Sequence, residues 1–230
     1  MADLADAQDM RTPHGVALEP LRADGPLPPE IPYPAAPWRM RGQFWIGVFK
    51  ADTPAALPSA PARLAQFLDP HLRVVALMRY LEGTLRYDEL LIGSLARVGW
   101  QVGMYIDYLY VDSVASLWGG RRIWGLPKEL ASFTWAGNAC RIADERGPIV
   151  SLTLNRRDAW APPLPLTSRG IGRVDGHWAF IATPLWARLG VAEMRLRDWS
   201  PRFSYRLPER PHLAFAGKPV AVTFPLPRLV

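Results

Sequence analysis

Lys128 stands in Gly120-Arg121-Arg122-Ile123-Trp124-Gly125-Leu126-Pro127-Lys128-Glu129-Leu130, a stretch rich in apolar residues and glycine. The chain has three lysines against 24 arginines, so a surface cation here would ordinarily be arginine. An amine differs from a guanidinium in being able to lose its proton and attack a carbonyl. Local composition leaves two readings open: a Schiff-base nucleophile, or a lysine snorkelling at a barrel rim with its stem on apolar neighbours. The first demands a large loss of basicity, because a lysine of pKa ~10.4 must fall by about 3.5 pH units, roughly 5 kcal/mol, to be half neutral at pH 7. Burial can supply that, and a neighbouring cation adds to it.

Other chemistries find no anchor. His14, His71, His177 and His212 are widely separated and belong to no metal-ligand spacing. No G-x-S-x-G elbow occurs. Gly170-Ile171-Gly172-Arg173-Val174-Asp175-Gly176 has the wrong final spacing for a phosphate loop and reads as a turn. Cys140 falls in a strand-like run and reads as a small core residue rather than a nucleophile. A net charge of +6 and a pI near 9.8 invite a nucleic-acid reading, but the arginines occur singly or in pairs such as Arg121-Arg122 and Arg156-Arg157. No basic run and no nucleic-acid motif accompanies them. With one cysteine there is no intrachain disulfide, and a reducing compartment is expected. The acidic start Met1-Ala2-Asp3-Leu4-Ala5-Asp6 lacks an apolar core, and no stretch approaches a membrane span. The expectation is a cytoplasmic protein with no metal, no cofactor, no nucleic-acid partner and no membrane contact.

The elements that must hold these residues read as short strands. Residues 1–37 carry eight prolines and form an extended arm, lying over the body or over a neighbouring subunit; residues 38–230 form a single domain. Strand-like runs span 44–49, 72–80, 85–95, 102–111, 133–140, 149–154, 177–183 and 220–224. A helix is expected over 62–68, and a helical turn begins at Asp112 as N-cap and stops at Gly119-Gly120. Many short strands punctuated by 24 prolines and 18 glycines indicate a mostly β fold with α+β insertions, an antiparallel barrel or sandwich. Ten tryptophans exceed what a small core needs, so some line a cavity or a subunit interface. Trp45, Tyr105, Tyr108, Trp124 and Leu126 are the candidate lining.

The region from Gly83 to Leu130 resembles the acetoacetate decarboxylase family. Gly83-Thr84-Leu85-Arg86-Tyr87-Asp88-Glu89 is similar to the family's Gly…Tyr-x-Glu segment, which holds an active-site carboxylate. Gly120-Arg121-Arg122 through Pro127-Lys128 is similar to its Gly-Arg-Glu…Pro-Lys segment, whose lysine forms the Schiff base. The tyrosine-rich strand from Met104 to Asp112 fits between the two blocks.

The resemblance implies an acetoacetate decarboxylase-like antiparallel β-barrel with a central cavity and a few short helices, often a homo-oligomer. It makes Lys128 the nucleophile and Glu89 the carboxylate near the reacting carbon. It also places an arginine before the first core strand to hold the substrate carboxylate, with Arg41 the better match and Arg39 next. Trp124, Leu126 and Tyr108 complete the expected substrate pocket. The implied reaction is decarboxylation of a small 3-oxo acid through a Lys128 imine. The alternatives are an aldolase-dehydratase using a 2-oxo acid such as pyruvate and an aldehyde, and a non-catalytic small-ligand-binding barrel. Two positions depart from the pattern. Arg122 stands where the family often has an acid, and Glu129 stands where classical members carry a second lysine. If Pro127-Lys128-Glu129 is extended, Glu129 faces away from Lys128 and burial alone must lower the amine's basicity; if Glu129 turns inward, it opposes that lowering.

Overall fold

β-Branched and aromatic residues in alternation give the chain its strands, and the alternation decides which side chains meet. A computed structural model describes residues 27–57, 63–156 and 162–230. In sequence order they form β1 (Trp38–Lys50), β2 (Leu64–Gln66), β3 (Leu72–Gly83), β4 (Tyr87–Val98), β5 (Gln101–Val111), α1 (Val114–Trp124), β6 (Lys128–Leu130), β7 (Ser132–Ala136), β8 (Ala139–Asp144), β9 (Gly147–Arg156), β10 (Leu164–Val174), β11 (His177–Arg197), β12 (Leu213–Phe224) and β13 (Arg228–Leu229). The fold is mostly β with one helix among the described residues.

Seven strands pair in the order β10-β5-β4-β3-β1-β12-β11, and β11 returns to β10, so the pairings close on themselves. All are antiparallel except the short β10–β5 contact, Gly170 to Met104 and Ile171 to Tyr105. The far end of β11 leaves this ring to pair with β9, which continues through β8 to β7 as a second layer. On β3, Val75 and Leu77 face that second layer, burying against Ile142, Ile149, Leu152 and Met194, whereas Val74, Ala76, Met78 and Tyr80 face the ring interior. Each fully buried aliphatic side chain in the layer contributes about 1.5–3 kcal/mol.

The helix is a crossover between the parallel strands β5 and β6. Ser113, not the expected Asp112, caps its N-terminus, accepting from the Ser116 N–H at 3.2 Å. Gly119 and Gly120 do not stop it. They lie inside the helix because other groups pass against them, and the stop is Gly125, whose φ of 61° suits only a residue without a Cβ penalty.

Three further expectations change. Leu64–Gln66 in the expected 62–68 helix is a strand paired with β4, its alternation being too short to decide; Ala62 lies outside the described residues. The run 133–140 is two strands, β7 and β8, joined at Gly137, which has φ 61°. The supposed turn at 170–176 is strand β10 up to Val174, with only Asp175-Gly176 turning. Gly172 is there because the Trp124 carbonyl approaches to where a Cβ would sit.

Residues 27–37 carry neither helix nor strand and lie against α1: the Trp118 and Trp38 indoles donate to the Pro29 and Pro34 carbonyls (3.1 and 2.8 Å), and Arg122 pairs with Glu30 at 2.8 Å. Residues 1–26 of the expected arm lie outside the described residues.

Candidate active site

Two strands on either side of β5 bring the site together. Glu89 pairs with Val111 on one side, and Lys128 pairs with Leu109 on the other. Tyr87 and Glu89, two apart on β4, share a face as strand alternation requires. The first turn of α1 adds Ser116.

The Lys128 Nζ donates to Glu89 Oε2 at 2.7 Å, to Ser116 Oγ at 2.8 Å and to the Tyr87 hydroxyl at 3.4 Å. Three acceptors match the three protons of an ammonium. Lys128 and Glu89 are 3% and 6% exposed, so the ion pair is buried. The lysine stem passes over Gly120, where an added Cβ would stand 2.4 Å from Cδ and 2.6 Å from Cε. Arg121, also buried, fixes the backbone by donating from Nε to the Lys128 carbonyl at 2.6 Å. The nucleophile is thus held at its amine, its stem and its carbonyl.

Beyond Glu89 lies a cavity of about 490 Å3. Tyr80, whose phenol feels the Glu89 charge, borders it with Trp124 and Leu126; Phe44, Ile106 and Leu109 line its walls, and Leu166 and Ser168 lie at an exposed rim. Lys128 itself sits one hydrogen bond behind Glu89.

The remaining expected residues divide between the cavity and other faces. Trp124 and Leu126 line the cavity. Tyr108 packs on Phe203 in the second layer, ring centroids 4.7 Å apart, and Trp45 lies in the same layer. The reason for Tyr108 is a bulge: Ile92 pairs with Tyr108 and Gly93 with Ile106, so Asp107 is extra and shifts the alternation by one. Tyr105 packs towards Trp178 in a third cluster. Arg41 and Arg39 are exposed and border an outer cleft with Glu82 and Trp186; they share parity with Trp45, opposite to the cavity-facing Phe44 and Ile46. Glu129 turns away from Lys128 and pairs with Arg146 at 3.0 Å, as an extended Pro127-Lys128-Glu129 demands.

Ser116 carries no signal in the sequence that separates it from ordinary helix residues, and Gly120, which opens the block that carries the resemblance, reads there as a helix stop rather than as room for the lysine stem. Tyr87 does, by standing two positions before Glu89 in a strand.

Burial pushes the Tyr80 and Tyr87 phenols well above their ordinary range, and the Glu89 charge adds to it. Burial also raises Tyr205, with Asp107 beside it. A phenol whose folded pKa is raised binds its proton more tightly than in the unfolded chain. Its contribution to stability is full below pH 10.0 and is lost as pH rises through the folded values. Denaturant titrations at stepped pH should show stability falling above pH 10, with the ultraviolet phenolate signal of these tyrosines appearing only on unfolding. Their ionisation in an intact fold near pH 10 would contradict the burial.

These features define a closed-ring β protein holding a buried amine–carboxylate pair at one end of a ligand-sized chamber. The chain belongs to the family described as acetoacetate decarboxylase (ADC), which matches residues 30–159, more than half of its length. No curated protein matches the sequence. Similar solved structures include an acetoacetate decarboxylase from Legionella pneumophila subsp. pneumophila str. Philadelphia 1, at 21% identity and TM-score 0.60 over 90% of this chain and 93% of that one. The enduracididine biosynthesis enzyme MppR follows at 16% and 0.55 over 84% and 89%. An acetoacetate decarboxylase-like enzyme from Sphingomonas wittichii RW1 matches at 13% and 0.54 over 85% and 93%. At these identities the likeness is one of fold.

Proposed function

We propose that the chain is a carbon-carbon lyase that forms an imine between Lys128 and an oxo acid. The observation that carries this reading is the buried Lys128 amine, 2.7 Å from Glu89 at the end of an apolar chamber. An attacking amine must be neutral, and Glu89 is placed to take its proton. Moving the proton along that hydrogen bond turns an ion pair into two neutral groups without changing the net charge of the site. Glu89 stands between chamber and amine, so the substrate carbonyl reaches Nζ as the carboxyl group swings aside.

Nζ then adds to the ketone carbon; the carbinolamine leaves water as its hydroxyl takes a proton from Glu89, giving an iminium. In a 3-oxo acid the bond to the carboxylate breaks, its electron pair enters the iminium, and carbon dioxide departs from an enamine. Protonation at carbon and hydrolysis return the methyl ketone and the free amine. The step neutralises charge, which suits a chamber end bordered by Tyr80, Trp124 and Leu126. The expected Arg41 clamp gains no support, since that side chain is on the outer face.

Aldol condensation of a 2-oxo acid with an aldehyde starts from the same kind of iminium, whose neighbouring carbon loses a proton instead of carbon dioxide to give the enamine that attacks the aldehyde. It is the second reading, favoured by the fold shared with MppR, solved with the condensation product of pyruvate and imidazole 4-carboxaldehyde.

Borohydride reduction in the presence of 3-oxo and 2-oxo acids should give a substrate-sized adduct mapping to the Lys128 peptide and absent from Lys128→Ala. Release of carbon dioxide from the 3-oxo acid upholds decarboxylation. An aldehyde-dependent product from pyruvate transfers the assignment to the aldol reaction, and no adduct with any acid leaves a ligand-binding barrel.

A further inference from the structure

We infer that the substrate is an oxo acid bearing an extended apolar tail, an inference that rests on the imine reading for the position of its head. The length of the chamber carries it. Glu89 pairs with Val111, and further along β5 come the cavity-facing Leu109, Ile106 and Met104; Met104 in turn pairs with Gly170 of β10. Six regular steps of strand, leaving out the bulged Asp107, carry Val111 to Met104, a span of roughly 20 Å at ~3.3 Å per residue.

The reacting groups are at one end of that span and the exposed rim, with Leu166 and Ser168, is at the other. An acid of acetoacetate size would fill only the Glu89 end. With ~30 Å3 for a water molecule, about 490 Å3 holds on the order of 16 water-sized groups.

The chemistry of the walls agrees with the length. Phe44, Ile46, Ala76, Ile106, Leu109 and Phe215 offer neither donor nor acceptor from their side chains. Among the described residues bordering the chamber the one cation is Arg169, exposed at the rim. Protein interiors do not keep voids of this size, and apolar chambers of 300–1,000 Å3 are ligand sites. A short anion would leave these walls against water. A tail lying along them with the oxo acid at Glu89 would cover them, its end reaching towards Leu166.

The test is competition. Equimolar straight-chain 3-oxo acids, from acetoacetate upward, are presented together to the full chain, reduced with borohydride and read by intact mass. Capture should rise about fourfold per added methylene until the tail reaches the rim. Equal capture, or preference for acetoacetate, overturns the inference while leaving the imine assignment intact. Absence of every adduct overturns the imine assignment, and the tail is then decided without it. Saturable binding of fatty acids lacking the oxo group, tightening with length in equilibrium dialysis, upholds an apolar-tail ligand; no binding at any length overturns it.

Discussion

Replacing Lys128 with methionine should destabilise the fold by about 3–5 kcal/mol, and the double replacement Lys128→Met/Glu89→Leu should recover most or all of it. The single variant strands the Glu89 carboxylate, 6% exposed, without the cation 2.7 Å away. The double variant removes both charges and leaves only the neutral hydroxyls of Tyr87 and Ser116, which Lys128 had bonded, to be satisfied. Urea titrations of both variants measure this directly. A neutral single variant would mean that the two groups are not a buried ion pair. Recovery in the double variant would show that the pair adds nothing net to the fold, so that its place there answers to chemistry.

Gly120→Ala should lower the rate of adduct formation by on the order of 10²-fold, the effect of misplacing a reacting group by about an ångström. The new methyl group would occupy the path of the lysine stem, 2.4 Å from Cδ. That stem is held at both ends, so displacing it offsets the ~1 kcal/mol by which alanine is favoured over glycine in a helix interior, and thermal stability should stay within about 1 kcal/mol of the parent. Gly119→Ala is the control. Its methyl group meets the Trp38 ring at 2.4 Å, and that indole is 1% exposed and cannot yield, so stability should fall by about 1–3 kcal/mol. Both rates are read by borohydride capture under single-turnover conditions. An unchanged rate in Gly120→Ala would show that the lysine has room the structure denies it.

How far the sequence reveals all this depends on what each residue's role is written in. Lys128 and Glu89 stand in blocks whose residue types carry the family's pattern, and seven of the eight strand-like runs meet one strand each because alternation is local. The paired strands β7 and β8 merged into one run because Gly137 alone marks the turn between them. Gly119, Gly120 and Gly172 read as punctuation, the usual meaning of glycine, but each is fixed by a partner distant in sequence or around the helix: Trp38, the Lys128 stem, the Trp124 carbonyl. Arg41 looked like a clamp by position, and parity turned it outward.

Asp107 is one residue, and it settles which half of the alphabet β5 shows to the chamber. As the strand stands, Leu109 faces in, while Asp107 serves the second layer beside Arg73 (Nε 3.8 Å) and Tyr205 (3.4 Å) and Tyr108 joins it there. Were β5 to pair straight through Asp107 without the bulge, pairing from Tyr108 onward would slip by one: Tyr108 and Tyr110 would turn to the chamber and Leu109 would leave it. The lining is therefore kept by register as much as by residue type: loss of Asp107 would leave Leu109 facing in, whereas a strand that ran straight through it would exchange a greasy wall for a hydroxylated one.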